Sequence, residues 1–320
     1  MVADFTPLVS VVVPTYDRPE KLRAAVESVA AQTYPNIELL VVDDCSPTPA
    51  RSVLAADAPE SLTYTCIRHE ENRGANAARN TGIRAAEGEI VSFLDDDDRW
   101  NPDKTTREVE TLATGEDVGV VLHGQEMVHE GRLTNVRTPE VSGDATVGLL
   151  RGKAGATFSS IAVRRSTIDD AGLPDETFPS WQDREWLLRL SEHSRFAVQP
   201  DPLVIRRSGT YDQIGDRYET KRDVSYPNIL ERHRETAARY GQERQFVASM
   251  SEMLANTALR HGYYEDARQY ALKSIRHDPT ALRPYLYFFL GVGNDTLLDS
   301  VVRCRRATKR ASYLVRQRIR

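Results

Sequence analysis

Four consecutive aspartates, Asp95 to Asp98, follow an apolar run in the segment IVSFLDDDDRW (90–100). Adjacent like charges repel one another, so such a cluster needs a positive partner. Mg²⁺ and Mn²⁺ prefer oxygen ligands, and Mg²⁺ is held by one or two carboxylates together with phosphate oxygens. The spacing therefore points to a divalent cation that carries a phosphorylated ligand. The alternative is a solvated acidic turn that caps the helix expected from Pro102.

Two further polar turns follow apolar runs earlier in the chain. Thr15 and Tyr16 follow LVSVVV (8–13), and the acidic pair that ends in Asp44 follows IELLVV (37–42). In an open parallel sheet, ligands bind beyond the carboxyl ends of the strands. Acids, hydroxyls and an aromatic ring at one such edge suit a nucleotide diphosphate, with the cation between carboxylates and phosphates. The alternative for the acidic pair is an ordinary turn.

Alternating strands and helices are expected to position these residues over the first 125 residues. Apolar positions at helical spacing predict a helix over 18–31, and small residues predict another over 74–86. The alternation predicts a doubly wound, mostly parallel sheet that is covered on both faces, a Rossmann-like α/β fold. Continuous apolar runs predict its strands at 8–13, 37–42, 62–67, 89–94 and 117–122.

The rest of the chain is less regular and then helical. A strand is predicted at 156–165 and a helix at 180–190, and residues 243–279 resemble one tetratricopeptide unit. We therefore expect an α/β domain over 1–215 and a helical region over 216–320.

Composition excludes several classes of protein. The 320 residues carry a net charge of −5, and they include three cysteines without the paired spacing of a zinc site or a disulfide framework. Eight Lys or Arg and no acid lie in 301–320, so the remainder is strongly acidic, which argues against nucleic-acid binding. The sequence shows neither a basic leader nor an apolar run long enough to span a bilayer, which predicts a cytoplasmic protein.

Four motifs occur in the order in which family-2 glycosyltransferases of GT-A fold carry them. They are P-T-Y-D-R after the first predicted strand, V-D-D after the second, R-N-T-G in the helix over 74–86, and L-D-D-D-D after the fourth strand. Residues 8–210 therefore strongly resemble this family, including members that build archaeal surface glycans and N-linked glycoproteins. The resemblance implies a UDP- or GDP-linked sugar donor, an Mg²⁺ or Mn²⁺ ion, and inversion at the anomeric carbon.

The resemblance also implies roles in holding the donor. Thr15, Tyr16 and Asp44 match positions that hold the nucleoside, and Arg79 matches a basic residue near the donor. The alternative for Arg79 is an exposed salt bridge. A pair of arginines in RRS (206–208) could grip the diphosphate from a mobile loop, or belong to an ordinary surface loop.

Within the four aspartates, the resemblance separates two tasks. Asp97 matches the metal ligand, and Asp95 or Asp96 matches the contact to the ribose or the sugar. Together Asp95 and Asp97 form the D-x-D signature of the family.

The segment WQDREW (181–186) matches the part of the family that supplies the general base. Asp183 occupies the position of the base, although Gln182 replaces the acid that usually begins the segment. Glu185 could orient the acceptor or simply be solvated. A second reading makes Ser180 and Asp183 a capping box at the start of a helix.

The acceptor expected from the resemblance is a lipid phosphate or a lipid-linked glycan. The basic tail over 301–320 interleaves arginines with apolar residues, so it could lie peripherally on an anionic membrane surface. Alternatively, the tail docks onto the acidic domain. A different class of function is a catalytically weak nucleotide-sugar binder whose helical region is a scaffold for a partner.

Overall fold

A computed structural model describes residues 6–55, 63–208 and 217–292 of the chain. The basic tail over 301–320 lies outside the described residues. The chain divides into two compact units, each formed from several segments. The first unit comprises Met1–Ala145, Gly155–Glu176 and Arg189–Gly209, and the second comprises Thr146–Ala154, Thr177–Leu188 and Thr210–Arg320.

Within the described residues, nine strands form one mixed sheet in the first unit. In chain order they are β1 (Val9–Thr15), β2 (Ile37–Asp43), β3 (Tyr64–Arg68), β4 (Ile90–Phe93), β5 (Arg99–Trp100), β6 (Val118–His129), β7 (Arg132–Arg137), β8 (Ile161–Arg164) and β9 (Arg195–Ser208). Their order across the sheet is β3-β2-β1-β4-β8-β6-β9-β5, and β7 pairs with β6. The neighbours β3, β2, β1 and β4 run parallel, as do β6 and β9, whereas β5, β7 and β8 are antiparallel to their neighbours. The predicted fold class is confirmed.

The helices surround the sheet and build the second unit. Those of the first four βα connections are α1 (Pro19–Ala30), α2 (Ala50–Ala55), α3 (Ala75–Ala85) and α4 (Lys104–Leu112). The remaining described helices are α5 (Thr146–Leu150), α6 (Arg165–Ala171), α7 (Gln182–Leu190), α8 (Tyr218–Thr220), α9 (Tyr226–Arg232), α10 (Arg234–Arg239), α11 (Glu243–Arg260), α12 (Tyr264–His277) and α13 (Leu282–Leu290). A π-helical turn (Lys221–Ser225) joins α8 to α9.

The sheet core explains why α3 consists of small residues. β1 is buried along its whole length, and α3 lies directly against it. A Cβ atom added at Gly82 would lie 2.3 Å from a methyl carbon of Val12, so only glycine allows this approach. The close contact fixes the height of α3 over the sheet, and with it the residues at the start of the helix.

The predicted strand over 156–165 is only partly correct. Phe158–Ser160 form a 3₁₀ turn, and the strand β8 covers just four residues before α6 begins. The backbone N–H of Thr157 donates to Ser160 Oγ at 3.0 Å, in a reciprocal capping box. Such local side-chain bonds compete with strand pairing and explain the shorter strand.

A closed group of buried charges lies between α4 and the sheet. Lys104 forms an ion pair with Glu108 one turn later, and its Nζ lies 3.7 Å from the centre of the Trp100 ring. Glu108 also accepts a hydrogen bond from Ser92 Oγ at 2.8 Å and lies 3.4 Å from His123 Nε2. The ionic side chains of this group are fully buried.

In the second unit, two stretches from before residue 215 join the C-terminal helices. The Oγ of Ser249 in α11 donates to the carbonyl of Leu150 at 2.7 Å, and Arg151 Nε donates to Gln242 at 2.7 Å. These contacts explain why residues 146–154 group with the helices, in contrast to the contiguous boundary expected at 215.

The last described helices form a packed pair followed by a helix with an exposed apolar side. Ser274 Oγ in α12 donates to the carbonyl of Ala248 in α11 at 2.8 Å, and alanines fill the contact. The tetratricopeptide resemblance of this pair stays a prediction. The exposed side chains of α13 include Leu282, Leu286 and Phe289. None of the helices described is both long and apolar enough to cross a membrane.

Candidate active site

The carboxyl ends of β1, β2 and β3 lie in register and present polar residues at one edge of the sheet. Thr15 pairs with Asp43, and Asp43 pairs with Arg68. The turns that follow β1 and β2 contain Asp17 and Cys45 at positive φ, 53° and 68°. Non-glycine residues adopt this conformation rarely, and such strain concentrates at functional sites. The edge is therefore the natural place to look for a site.

Asp96 is the buried centre of the acidic loop that follows β4. Its carboxylate accepts a hydrogen bond from Thr15 Oγ1 at 2.8 Å and another from Arg18 Nη1 at 3.0 Å. Burial raises the pKa of Asp96 to about 6, although Arg18 and Thr15 oppose that effect. The predicted convergence of a hydroxyl and an acid from two strand ends is seen in this contact, while the roles of Thr15 and Asp96 towards a donor stay predictions.

Asp97 is the second carboxylate that Arg18 contacts, at 3.3 Å, and its side chain is 13% exposed. Burial and the neighbouring charge of Asp95 raise the pKa of Asp97, whereas Arg18, Lys21 and Arg206 lower it. Asp97 thus lies among like and unlike charges at the open side of the loop.

Asp95 is paired with Arg79, which is buried rather than exposed. Arg79 Nη2 donates to Asp95 Oδ1 at 2.7 Å, and Nη1 donates to Asn76 Oδ1 at 3.0 Å. The guanidinium also stacks at 3.8 Å from the centre of the Phe158 ring. The reading of Arg79 as an exposed salt bridge is therefore wrong. Its pairing with Asp95 orients the first of the four consecutive carboxylates.

Asp98 connects the acidic loop to Ser159 and to the strand β9. It accepts hydrogen bonds from Ser159 Oγ at 2.7 Å and from the backbone N–H of Arg207 at 3.1 Å. Complete burial, together with the nearby aspartates, raises the pKa of Asp98 well above its usual range. Arg206 and Arg207 lie in β9, so the loop expected at RRS is wrong.

The acidic pair after β2 holds the backbone of neighbouring turns. Asp43 accepts bonds from the N–H groups of Ser46 and Ala50 and pairs with Arg68. The reading of Asp43 as a turn former fits its bonds to Ser46 and Ala50, while Arg68 pairs with it from the neighbouring strand β3.

Asp44 supports the loop that leads into α3. Its carboxylate accepts from the N–H of Arg73 at 2.9 Å and of Gly74 at 2.7 Å, and Oδ1 lies 2.7 Å from His69 Nδ1. The N–H of Asp44 donates to the carbonyl of Thr15, which places the two predicted nucleoside contacts side by side. Tyr16 follows with a side chain that is 42% exposed. Contact of these residues with a nucleoside stays a prediction.

The carboxylates of the acidic loop suit a divalent cation that also binds the phosphate oxygens of a ligand. Asp95 and Asp97 are the two more exposed carboxylates of the four, and the charge of Asp95 raises the pKa of Asp97. Among the residues described, no group of three or more His, Cys, Asp or Glu could enclose a metal ion. Two carboxylates are what Mg²⁺ needs when phosphate oxygens and water supply its other ligands.

Asp183 lies in the second unit, in the first turn of α7. The helix begins at Gln182, so Trp181, at φ 59°, is the residue that precedes it, rather than Ser180. Asp183 Oδ1 accepts from the N–H of Arg184 at 2.8 Å. The predicted helix is confirmed, and the role of Asp183 as a base stays a prediction.

The reading of Glu185 as solvated is wrong, whereas a role in orienting the acceptor stays a prediction. Its side chain is buried, with Oε1 3.5 Å from Arg232 Nη1 and 3.6 Å from His233 Nε2, both from the helical region. Its interactions bind α7 to the C-terminal helices and explain why residues 177–188 belong to the second unit.

Two residues of the acidic loop's surroundings escaped prediction. Arg18 was visible as a cation directly after the P-T-Y-D turn, and its proximity to the expected strand edge was the available signal. Ser159 gave no signal, because it is one of many serines and its placement depends on the 3₁₀ turn before β8.

Comparison with known proteins identifies the family. The model of "Glycosyl transferase family 2" matches residues 10–170. An uncharacterized glycosyltransferase of Haemophilus influenzae is 32% identical over 210 residues, which cover 64% of this chain and 67% of the relative.

Solved structures show the same fold. S. aureus TarS in complex with UDP-GlcNAc gives a TM-score of 0.58 at 19% identity and covers 89% of this chain and 79% of TarS. The Pyrobaculum calidifontis mannosyltransferase PcManGT, in complex with GDP-Man and Mn²⁺, gives 0.58 at 20% identity over 97% of this chain and 88% of that one. With the family match over half of the sequence, these likenesses lead to one conclusion. The chain belongs to glycosyl transferase family 2 and is a glycosyltransferase.

Proposed function

We propose that the protein transfers a sugar from a UDP- or GDP-linked donor to an acceptor oxygen, with a divalent metal and with inversion at the anomeric carbon. The observation that carries this proposal is the pair of partly exposed carboxylates, Asp95 and Asp97, at the carboxyl edge of a parallel sheet. Cations close to Asp97 come from Arg18, Lys21 and Arg206, and they suit the diphosphate of a donor.

The proposed donor contacts are the residues at the strand ends that match the donor-holding positions of the family. Thr15, Tyr16 and Asp44 hold the nucleoside, and Asp95 or Asp96 contacts the ribose or the sugar. Arg79 keeps Asp95 in place through their 2.7 Å bond. Both named donors of the structural neighbours, UDP-GlcNAc and GDP-Man, are nucleotide-diphosphate sugars, which supports this donor class.

Asp97, helped by Asp95, would hold Mg²⁺ or Mn²⁺. When bound, the ion stabilises the negative charge that develops on the departing diphosphate. The presence of Mn²⁺ in the PcManGT complex supports a metal of this kind. The protein's own part is to fix the carboxylate of Asp95 by its bond to Arg79, so that this group needs little rearrangement during transfer.

Asp183 is the proposed general base. The acceptor oxygen attacks the anomeric carbon as the bond to the diphosphate oxygen breaks, and Asp183 takes the acceptor's proton. Proton abstraction by a positioned side chain contributes about 10²–10⁴-fold to a rate. An acceptor phosphate is already ionised near neutral pH, so a small effect of Asp183→Asn would indicate that acceptor class.

A lipid phosphate or a lipid-linked glycan is the proposed acceptor, in the assembly of a surface glycan or glycoprotein. Support comes from the exposed apolar side of α13, which includes Leu282 and Phe289, and from the eight basic residues of the tail that follows it. Apolar and basic residues together suit the surface of an anionic bilayer. The cytoplasmic location with peripheral membrane contact stays a prediction.

The decisive experiment is a transfer screen with UDP-, GDP- and dTDP-sugars, Mn²⁺ or Mg²⁺, and lipid-phosphate extracts. We expect metal-dependent release of a nucleotide diphosphate that disappears in Asp97→Asn and falls in Asp183→Asn. Asp117→Asn, which removes an exposed acid paired with Arg195, is the matched control and should keep full activity. Metal-dependent nucleotide binding without release from any donor would instead favour the nucleotide-sugar binder with a helical scaffold.

A further inference from the structure

Two arginines neutralise the acidic loop, and they are held in different ways. Arg79 is 6% exposed and is fixed on three sides, by Asp95, Asn76 and the Phe158 ring. Arg18 is 25% exposed and contacts Asp96 and Asp97. Arg79 is therefore enclosed by its partners, whereas the side chain of Arg18 is partly accessible to solvent.

A single nitrogen of Arg18 serves both of its carboxylates. Nη1 lies 3.0 Å from Asp96 Oδ1 and 3.3 Å from Asp97 Oδ2. The bond to Asp96 is the stronger by distance, and Asp96 also has Thr15 as a second donor. The contact with Asp97 is the longer one, and it is the contact that can be given up while Arg18 stays tethered to Asp96.

The contact with Asp97 conflicts with metal binding. Asp97 is the carboxylate proposed to hold the ion, and a guanidinium 3.3 Å from one of its oxygens repels a divalent cation placed at the same group. Lys21 and Arg206 also act on Asp97, so the cationic field there is not due to Arg18 alone. The same guanidinium would attract an incoming diphosphate.

We infer that Arg18 is a resident counterion of Asp97, which the metal displaces and which then pairs with the diphosphate of the donor. This inference rests on the proposed function. In the ligand-free protein, Arg18 lowers the repulsion between aspartates and stabilises the loop. Metal and diphosphate then bind cooperatively, because the diphosphate draws away the charge that opposes the metal.

The test is Mn²⁺ binding to the full chain, measured by electron paramagnetic resonance without nucleotide and without turnover. Removing one positive charge next to Asp97 should make Arg18→Gln bind Mn²⁺ about tenfold more tightly than the wild type. Arg18→Lys keeps the charge and should bind Mn²⁺ as weakly as the wild type. Arg107→Gln removes an exposed cation paired with Glu110, and as the matched control it should change nothing.

A second titration tests whether Arg18 pairs with the diphosphate of the donor. UDP and GDP, added in the presence of EDTA, should bind about tenfold more weakly to Arg18→Gln than to the wild type, because a charge-assisted contact is lost. Thermal melting checks that each variant is folded. If Arg18→Gln is not folded, the nucleotide affinity of Arg18→Lys is compared with that of the wild type instead.

The outcomes separate this inference from the proposed function. Equal Mn²⁺ affinity in the wild type and Arg18→Gln, with transfer intact, would overturn the role of Arg18 alone. No Mn²⁺ binding to either protein, with or without nucleotide, would overturn both. Tighter Mn²⁺ binding with unchanged affinity for UDP and GDP would overturn the pairing of Arg18 with the diphosphate.

Discussion

Two groups of buried carboxylates in the first unit differ in how their charge is balanced. At α4, one carboxylate, Glu108, meets Lys104, His123 and Ser92, and the ionic groups are fully enclosed. In the acidic loop after β4, three of the four carboxylates pair directly with Arg18 or Arg79, and Asp98 accepts from Ser159 and the backbone of Arg207. The loop therefore keeps an excess of negative charge at an accessible edge.

The difference separates a structural group from a binding group. A buried charge is tolerated when it is paired and hydrogen-bonded, and Glu108 satisfies both conditions. The pKa of Glu108 is held low by Lys104 and His123 despite its burial, whereas burial and mutual repulsion raise the pKa of Asp97. The carboxylate of Glu108 is balanced by residues of the fold, whereas the acidic loop gains most from an added cation.

The largest effect is expected from breaking the complete group. Glu108→Gln leaves the ammonium of Lys104 buried without its ionic partner, which should lower the free energy of unfolding by about 3–5 kcal/mol. Urea denaturation followed by tryptophan fluorescence measures this, since Lys104 lies against Trp100. The double variant Lys104→Met/Glu108→Leu removes both charges and should lose less. A single variant as stable as the double variant would contradict the pairing.

Asp97→Asn should give the opposite result in the acidic loop. Transfer should fall about 10²–10³-fold, as when one preorganised electrostatic contact to a transition state is removed. The free energy of unfolding should stay constant or rise, because a mutually repelling charge has gone. Released nucleotide diphosphate and urea midpoints measure the two effects. A large loss of stability would show that Asp97 belongs to the structural class instead.

The pH dependence of stability should distinguish the groups next. Burial lowers the pKa of His123 to about 4, from 6.5, so the folded state holds the neutral imidazole. Below pH 6.5 the unfolded chain takes up a proton that the folded chain refuses until about pH 4. The associated stability is complete above 6.5 and is lost as the pH falls, by about 2 kcal/mol between pH 7 and pH 5.

The control for this loss is His123→Gln, which has no titrating ring. The wild type should lose about 2 kcal/mol more than His123→Gln over the same interval. Lys104 and Glu108 face the ring, but Glu108, with its lowered pKa, titrates below this interval. Equal losses in the two proteins would show that His123 is not held neutral by the fold.

The sequence predicted the parallel half of this architecture better than the antiparallel half. Continuous apolar runs place β1, β2 and β4 within two residues at each end, because fully buried strands need no polar alternation. The strand that contains β8 was predicted too long and the turn before it was missed, because Ser and Thr contacts between residues 157 and 160 override a β-branched pattern. The position of Ser159 depends on that turn.

The ion pairs also depend on tertiary packing, which no local sequence pattern shows. The aspartates and the turn after β1 were visible as motifs, but the pairing of Arg79 with Asp95 depends on how close α3 approaches the sheet at Gly82. Likewise, Glu108 and His123 are 15 positions apart on different elements, and no local pattern marks them as a pair. Motifs indicate which residues meet a ligand, whereas burial decides which residues meet one another.

The smallest effect on stability is expected from replacing one buried serine in each group of carboxylates. Ser92 Oγ donates to Glu108 at 2.8 Å, and Ser159 Oγ donates to Asp98 at 2.7 Å, both in buried surroundings. Ser92→Ala and Ser159→Ala should each lower the free energy of unfolding by about 1–2 kcal/mol, because a buried acceptor loses a donor.

Only Ser159→Ala should change ligand binding. Ser159 Oγ also accepts from the backbone N–H of Asp95 at 3.1 Å, so its loss frees the loop that carries the carboxylates of Asp95 and Asp97. Mn²⁺ affinity in the presence of UDP or GDP should weaken severalfold in Ser159→Ala and stay constant in Ser92→Ala. If both variants weakened binding equally, the two groups would be coupled through the sheet, and the division into structural and binding carboxylates would fail.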